Sequence, residues 1–214
     1  VSVAIGEGIV SIFEDLSADY VVEGGQTMNP SIDDLLQAID KVDAEEIFIL
    51  PNNSNIILSA KQASEMSDRK IHVIPSKSIP QGLAAMLAYN PDMDIETNIH
   101  RMTQSLDMVT TGQVTYAVRD SQFEDVTINK DDIIGIYDGR IVVVDGDISS
   151  TTKKLIEKML EDSDGDIITL YYGKDILEED AQLVSKYVQE KYPDIDVEIY
   201  AGQQPLYYYI ISVE

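Results

Sequence analysis

The first half of the chain alternates short apolar segments with segments of helical periodicity, and this alternation constrains the fold more than any other feature. Strands that are separated by single helices are joined by crossover connections. The pattern therefore predicts βαβ units and a parallel sheet with right-handed crossovers. The predicted strands cover residues 3–5, 19–22, 46–50 and 70–74, and the predicted helices cover residues 9–16, 31–41, 57–66 and a segment ending at 89.

The pattern changes after Asn90-Pro91-Asp92. Asp138-Gly139 between two apolar runs is a strong signal for a two-residue β-hairpin. We therefore predict an α/β protein with two lobes, a βαβ lobe with a parallel sheet and flanking helices over 1–92 and a mixed α+β lobe over 93–214. The second lobe is predicted to contain helices at 95–108, 150–162 and 178–191 and strands at 114–118, 133–137, 140–144, 166–172, 197–200 and 206–213.

The chain is strongly acidic, with 39 Asp and Glu against 15 Lys and Arg and a net charge of -24. Such a field repels phosphate backbones, so nucleic acid and anionic membrane surfaces are poor candidate partners. Either a basic protein partner or solubility alone explains the charge.

The chain contains no cysteine, which excludes disulfides, thiolate zinc sites and cysteine nucleophiles. No apolar run reaches the roughly 18 residues of a membrane span. These features fit a cytoplasmic protein. The sequence begins at Val1 rather than at a methionine, and we expect it to be a piece of a longer protein.

Four turns of the first half are expected to meet at the carboxyl edge of the parallel sheet, because each follows a strand and precedes a helix. Helix N-termini at such an edge favour an anion or a carboxylate. The same residue types are also ordinary turn and cap residues, and the sequence leaves both interpretations open. The candidate binding residues are Gly24, Gly25, Gln26, Thr27, Asn29, Asn52, Asn53, Asn55, Ser76, Lys77, Ser78 and Gln81.

The sequence predicts neither a catalytic residue nor a metal site. Gly6-Glu7-Gly8 lacks the third glycine of a dinucleotide fingerprint. His72 and His100 lie far apart without cysteine partners, which makes zinc binding improbable, and no nucleophile motif accompanies them. Two further groups are interpreted as structural: a solvated acidic loop with Asp120, Glu124, Asp125, Asp131 and Asp132, and a strand containing Tyr207-Tyr208-Tyr209.

Several motifs together resemble the C-terminal region of the A component of bacterial fatty acid kinase, a family also described as DAK2-domain or dihydroxyacetone-kinase-like. The resemblance implies a modular kinase in which a separate N-terminal domain binds ATP and magnesium. It also implies that the C-terminal region engages a DegV-type fatty-acid-binding protein. The motifs are Gly24-Gly25-Gln26-Thr27-Met28-Asn29-Pro30-Ser31, Pro51-Asn52-Asn53-Ser54-Asn55-Ile56, Ile79-Pro80-Gln81-Gly82 and Val114-Thr115-Tyr116-Ala117-Val118-Arg119-Asp120.

The order of turns is also similar to that of the DegV-like binders themselves, which implies a DegV-like fold of two α/β lobes. Their histidine-glycine-proline-glycine turn falls near Ala201-Gly202-Gln203-Gln204-Pro205, which makes Gln203 a further candidate. This chain has no histidine there, and Asn52-Asn53-Ser54-Asn55 stands where those binders have a serine- and glycine-rich turn.

The leading prediction is a non-catalytic docking domain of a fatty acid kinase, without a cofactor of its own. Its expected partner is the DegV-like fatty-acid-binding protein, which presents a carboxylate for conversion to acyl phosphate in phospholipid synthesis. A homodimer is expected only through the parent protein. One alternative is a lipid- or carboxylate-binding module that uses a crevice between the lobes, and another is an independent enzyme such as a hydrolase.

Overall fold

The computed structural model describes residues 1–25, 28–123 and 126–214. Two compact units can be distinguished, one formed by Val1–Ile5 and Ile9–Val109 and the other by Gly6–Gly8 and Thr110–Glu214. Residues 93–109 therefore group with the first unit, whereas the predicted boundary near residue 92 placed them in the second. The reason is that the helix after residue 92 packs against the helix before it.

The first unit follows the predicted alternation of strands and helices, with shifts of one or two residues at most element ends. A short 3₁₀ helix, Leu106–Met108, continues the last helix. The elements are β1 (Ser2–Ala4), α1 (Glu7–Asp15), β2 (Val21–Glu23), α2 (Ile32–Lys41), β3 (Glu46–Ile49), α3 (Ser54–Met66), β4 (Lys70–Val73), α4 (Ile79–Ala88) and α5 (Ile95–Ser105).

The four strands of this unit are parallel, as predicted. β1 pairs with β2, and β3 pairs with β4. A parallel bridge from Ser2 to Leu50 joins the two pairs, and Val3 N donates to Leu50 O at 3.0 Å. The strand order across the unit is therefore β2-β1-β3-β4.

Alternation along the strands gives this sheet an apolar face that α2 and α3 cover. Ile47 and Ile49 point to that face and are 2% and 0% exposed. They pack with Leu35 and Ile39 of α2 and with Ile56 of α3 in one buried cluster. Burial of this stripe fixes which side of the sheet the two helices occupy.

The second unit is built around a mixed six-stranded sheet of order β11-β10-β12-β5-β8-β9. β10 and β11 are parallel, and the other neighbouring strands are antiparallel. The elements of the second unit are β5 (Thr110–Tyr116), β6 (Ser121–Phe123), β7 (Val126–Ile128), β8 (Ile133–Tyr137), β9 (Arg140–Asp145), α6 (Ile148–Asp162), β10 (Ile167–Tyr172), α7 (Glu178–Lys191), β11 (Asp196–Ala201) and β12 (Tyr209–Val213).

Helices α6 and α7 cover one face of this sheet, and glycine makes room for α6. A Cβ at Gly112 would lie 2.4 Å from the sulfur of Met159, and one at Gly135 would lie 3.4 Å from Cβ of Leu155. Both side chains of α6 are fully buried. The absence of a side chain at Gly112 of β5 therefore lets Met159 of α6 lie close to the strand, whereas the contact at Gly135 would be an ordinary one.

Two predictions for the second unit are wrong. Residues 121–123 and 126–128 form the antiparallel strand pair β6–β7, where the sequence predicted a solvated loop; Glu124 and Asp125 lie outside the described residues. The predicted strand 206–213 begins only at Tyr209, because Leu206 has a φ of 70° and its left-handed conformation breaks the extended backbone. Tyr207 and Tyr208 therefore precede the strand.

The predicted hairpin at Asp138-Gly139 is confirmed. Its two central residues have φ values of 44° and 80°. Positive φ at both positions is what a type I′ turn requires. The turn connects Tyr137 directly to its cross-strand partner Arg140.

We expect Gly139→Ala to lower the free energy of unfolding by about 1–2 kcal/mol, because a Cβ disfavours the left-handed conformation. No atom lies within 4 Å of the position that this Cβ would take, so the loss is conformational rather than steric. Urea denaturation followed by circular dichroism measures it.

Gly146→Ala is the matched control. Its added Cβ also meets no atom within 4 Å, and its φ lies outside the left-handed range. We expect this variant to be as stable as the original protein or slightly more stable. Equal losses for the two variants would contradict the type I′ assignment.

Candidate functional site

The predicted turns of the first unit do share one edge of its sheet, because the four strands that precede them are parallel. In the order β2-β1-β3-β4 the connections diverge from β1 and β3, so the gap between these strands is the topological switch point. Open α/β sheets bind their ligands at that position. Asn52, which follows β3, lies there.

The Asn52 side chain is fully engaged inside the protein. Its Nδ2 donates to Ser2 Oγ and to the backbone oxygen of Val3, both at 2.9 Å. Its Oδ1 accepts a hydrogen bond from Ser76 Oγ at 2.7 Å, and the same hydroxyl accepts one from the Asn52 backbone N–H at 3.0 Å. Ser2 and Ser76 are fully buried. These bonds connect β1, the end of β3 and the end of β4.

Two backbone features allow the Asn52 side chain to occupy this position. Asn52 has a φ of 54°, in the left-handed region that asparagine tolerates better than most residues. Gly82 in α4 lies so close that a Cβ there would be 2.0 Å from Asn52 Oδ1. Glycine at 82 therefore leaves the space that the Asn52 amide fills.

The other candidates after β3 and β4 mostly serve as helix caps. Asn53 is the N-cap of α3, and its Oδ1 accepts from Asn55 N at 2.9 Å. Ser78 caps α4, and Gln81 bonds to the Lys77 backbone N–H at 2.8 Å and to Leu106 O at 3.0 Å. The side chains of Asn55 and Lys77 are exposed.

The turn after β2 is held by its own backbone. Gly25 N donates to Met28 O and Met28 N donates to Gly25 O, at 3.1 and 3.3 Å. Gly24 N donates to Ala4 O at 3.0 Å, and a Cβ at Gly24 would lie 2.8 Å from the Pro30 ring. Asn29 is exposed, and Gln26 and Thr27 lie outside the described residues.

Ser31 is the N-cap of α2 and forms a complete capping box with Asp34. Asp34 N donates to Ser31 Oγ at 3.1 Å, and the Asp34 carboxylate accepts from the Ser31 hydroxyl and backbone N–H. These two hydrogen bonds lower the pKa of Asp34 below its usual value. The turn is therefore fixed at both ends.

In the second unit, the turn at 201–205 packs against Gly6–Gly8. A Cβ at Gly8 would lie 1.7 Å from Ala201 O, and one at Gly6 would lie 2.6 Å from Gly202 O. The spacing Gly6-Glu7-Gly8 thus allows close backbone packing. Gln203 is exposed and has a φ of 53°.

The next residue, Gln204, is the buried amide of this turn. Its Nε2 donates to Tyr171 O at 2.8 Å, and only 1% of the residue is exposed. Its Oε1 is buried without a hydrogen-bond partner among the described residues. The sequence shows two adjacent glutamines and carries no signal that distinguishes the buried one from the exposed one.

The histidines occupy structural or exposed positions. His72 Nε2 lies 2.7 Å from Glu46 Oε2, and the imidazole packs on Phe48 with ring centroids 5.4 Å apart. Lys70 also contacts Glu46, and these two contacts lower the pKa of that carboxyl. His100 is exposed on α5.

The described residues, 1–25, 28–123 and 126–214, contain neither a group of metal-ligating side chains nor a helix suited to a membrane. Within these ranges, no three His, Cys, Asp or Glu side chains are grouped as metal ligands would be. None of the helices there has the length and apolar character that crossing a membrane requires.

The model of the FakA-like C-terminal family, which describes the C-terminal region of a fatty acid kinase component, matches residues 1–214, the whole chain. The chain belongs to this family. This FakA-like domain is 45% identical over 214 residues to protein YloV of Bacillus subtilis, and the match covers 100% of the chain and 38% of YloV. The chain thus spans less than half the length of that relative.

Solved structures place the FakA-like domain in the DegV fold. The DegV family protein Cg2579 of Corynebacterium glutamicum matches with a TM-score of 0.68 at 13% identity, over 99% of this chain and 95% of that one. The Streptococcus pneumoniae fatty acid kinase Fak B3 protein, crystallised with linoleic acid, matches with a TM-score of 0.61 at 16% identity, over 86% and 76%. The predicted fold and family are confirmed.

Asn52 and Asn55 of the FakA-like domain form a natural pair for testing the role of the turn after β3. We expect Asn52→Ala to lower the free energy of unfolding by about 3 kcal/mol, because buried partners of its amide are left unsatisfied. Asn55→Ala changes an exposed side chain and should shift stability by about 0.5 kcal/mol or less. Chemical denaturation measures both, and equal effects would contradict the structural role of Asn52.

Proposed function

We propose that this domain is a non-catalytic docking module of a fatty acid kinase. Its partner is a DegV-like fatty-acid-binding protein that presents the fatty acid carboxylate to the kinase. The match to the FakA-like C-terminal family supports the assignment of this domain to such a kinase. The engagement of the Asn52 amide inside the chain is the observation that favours docking over ligand binding.

Docking is preferred over ligand binding because the polar atoms of the Asn52 side chain at the switch point already form hydrogen bonds within the chain. A ligand carboxylate needs free donors, and both Nδ2 hydrogens of Asn52 already serve Ser2 and Val3. The position of the binders' histidine turn is filled here by Gln203 and Gln204, with Gln204 Nε2 bonded to Tyr171 O. At these two turns, the buried amide donors of Asn52 and Gln204 are thus bonded within the chain.

The chemistry itself belongs, in this proposal, to a part of the protein outside the 214 residues. Bound ATP with Mg²⁺ would supply the γ-phosphoryl group that converts the carboxylate to an acyl phosphate and releases ADP. The relative YloV is far longer than the matched region, which leaves room for a nucleotide-binding domain. Homodimerisation of the parent protein and a cytoplasmic location complete the proposal.

The net charge of -24 supports docking to a basic surface. Opposite charges on two partners accelerate their encounter, and added salt weakens this attraction. The affinity of this domain for its partner should therefore fall as ionic strength rises.

The test is a calorimetric titration of the 214-residue chain with an oleate-loaded DegV-family protein from the same genome. We expect saturable binding that weakens with added salt. Serum albumin loaded with oleate serves as the control, because it offers the same fatty acid on an unrelated protein. Absence of binding at a partner concentration of about 100 μM, a weak affinity on the free-energy scale, would refute the docking role.

A second candidate function is that the domain itself binds a lipid or another carboxylate. Its support is the fold shared with a protein crystallised with linoleic acid. Native mass spectrometry of the purified chain tests it: a co-purified fatty acid, retained after desalting, would favour lipid binding over the docking proposal.

A further inference from the structure

A groove runs along the outer edge of the first unit, between β2 and α2, with a volume of about 300 Å³. Tyr20 and Val22 form its strand wall. Its helix wall consists of Asp34, Gln37 and Lys41, whose spacing of three and four residues places them on one face of α2. Glu23 and the segment 28–30 also line it.

The strand that borders this groove has an unpaired edge. Ser2 N donates to Tyr20 O and Gly24 N donates to Ala4 O, in a parallel register that pairs Ser2 with Val21. In that register the residues at 20, 22 and 24 bond to β1. The N–H and C=O groups of Val21 and Glu23 therefore point away from β1, and no strand among the described residues pairs with them.

Exposed edges of this kind accept extended peptides, which add a strand and place alternate side chains in neighbouring pockets. The groove offers an apolar contact for such a peptide, because Met28 at its end is 50% exposed. Val22 and the ring of Tyr20 line the wall beside the strand. Edge and groove are thus adjacent, as strand addition requires.

The charges around the groove indicate the chemistry of its occupant. Residues 19–43 contain six acidic side chains and one lysine, Lys41. The Lys41 ammonium donates to Tyr20 OH at 2.7 Å and lies 4.6 Å from the centre of that ring. Glu23, in contrast, is exposed at the rim. A basic segment complements this surface.

The same charges argue against a second copy of the chain as the occupant. Edge-to-edge pairing of two β2 strands would bring two acidic segments together, and like charges at close range oppose association. A partner protein with lysine or arginine near an extended segment has the opposite charge. The edge is also short, which suits one added segment better than a continuous intermolecular sheet.

We propose that the groove between β2 and α2 is the docking site, and that it binds an extended basic segment of the partner protein by strand addition to β2. The inference rests on the proposed function in one respect, since it takes the DegV-like protein as the partner. It adds the surface, the binding mode and the charge of the segment that is recognised.

Three variants of the 214-residue chain test the site against an oleate-loaded DegV-family protein from the same genome. Val21→Pro removes an outward N–H without removing a bond to β1, since edge strands tolerate proline whose missing N–H faces outward. Met28→Asp removes the apolar contact, and Glu23→Arg reverses the rim charge. We expect each to weaken binding by about tenfold or more, the factor that one lost contact of ordinary strength produces.

Matched controls lie on the exposed side of α3. Leu58→Asp repeats the change from an apolar to an acidic side chain at a residue that is 65% exposed, and Glu65→Arg repeats the charge reversal. We expect both variants to bind the partner with an affinity within about twofold of that of the original chain, which is the variation typical of changes outside an interface.

Amide hydrogen exchange of the original chain provides a measurement that needs no variant. Binding by strand addition should slow exchange at Val21 and Glu23, whose N–H groups become hydrogen-bonded. Protection of those amides, together with weaker partner binding that is confined to the groove variants, would support the site even where one variant folds poorly.

The outcomes separate this inference from the proposed function. No binding of the original chain would refute the proposed docking role. Binding that the groove variants leave unchanged, without protection of Val21 and Glu23, would overturn the groove and preserve the docking role. A chain that is dimeric by light scattering and becomes monomeric on Val21→Pro would overturn the proposed occupant in favour of a second copy.

Discussion

The hydrogen bonds of the Asn52 side chain are the interaction on which the first unit depends. One amide connects two groups on β1 with the hydroxyl of Ser76, which follows β4. These groups are buried, and a buried polar atom without a partner costs more than an ordinary hydrogen bond contributes. The left-handed backbone at Asn52 and the glycine at position 82 are both consequences of placing this amide at the centre of the sheet.

The Asn52 side chain lies at the position where open α/β sheets usually bind a ligand. A sheet with diverging connections leaves an opening at the carboxyl ends of two central strands. Here a side chain of the protein itself occupies that position, and its donors bond within the unit. The functional surfaces that we propose therefore lie outside the switch point, at an unpaired strand and a groove on the outer edge of the unit.

Most of the fold could be predicted from the sequence, because strands and helices follow local periodicity. The four parallel strands, the capping box at Ser31 and the hairpin at Asp138-Gly139 all have short-range signals. The missed pair β6–β7 consists of strands of only three residues each, and its pairing is a property of two segments together. The start of β12 was misplaced because the tyrosine run suggests a strand, whereas the backbone at Leu206 interrupts it.

By itself the sequence determined the α/β class, the order of the elements, the family resemblance and the acidic character of the chain. Only the tertiary structure decided which polar residues are free. Asn52, Asn53 and Asn55 are equivalent turn residues in the sequence, yet one fills the switch point, one caps α3 and one is exposed. The reason is physical: turn propensity is local, whereas the partner of a buried amide comes from strands distant in the chain.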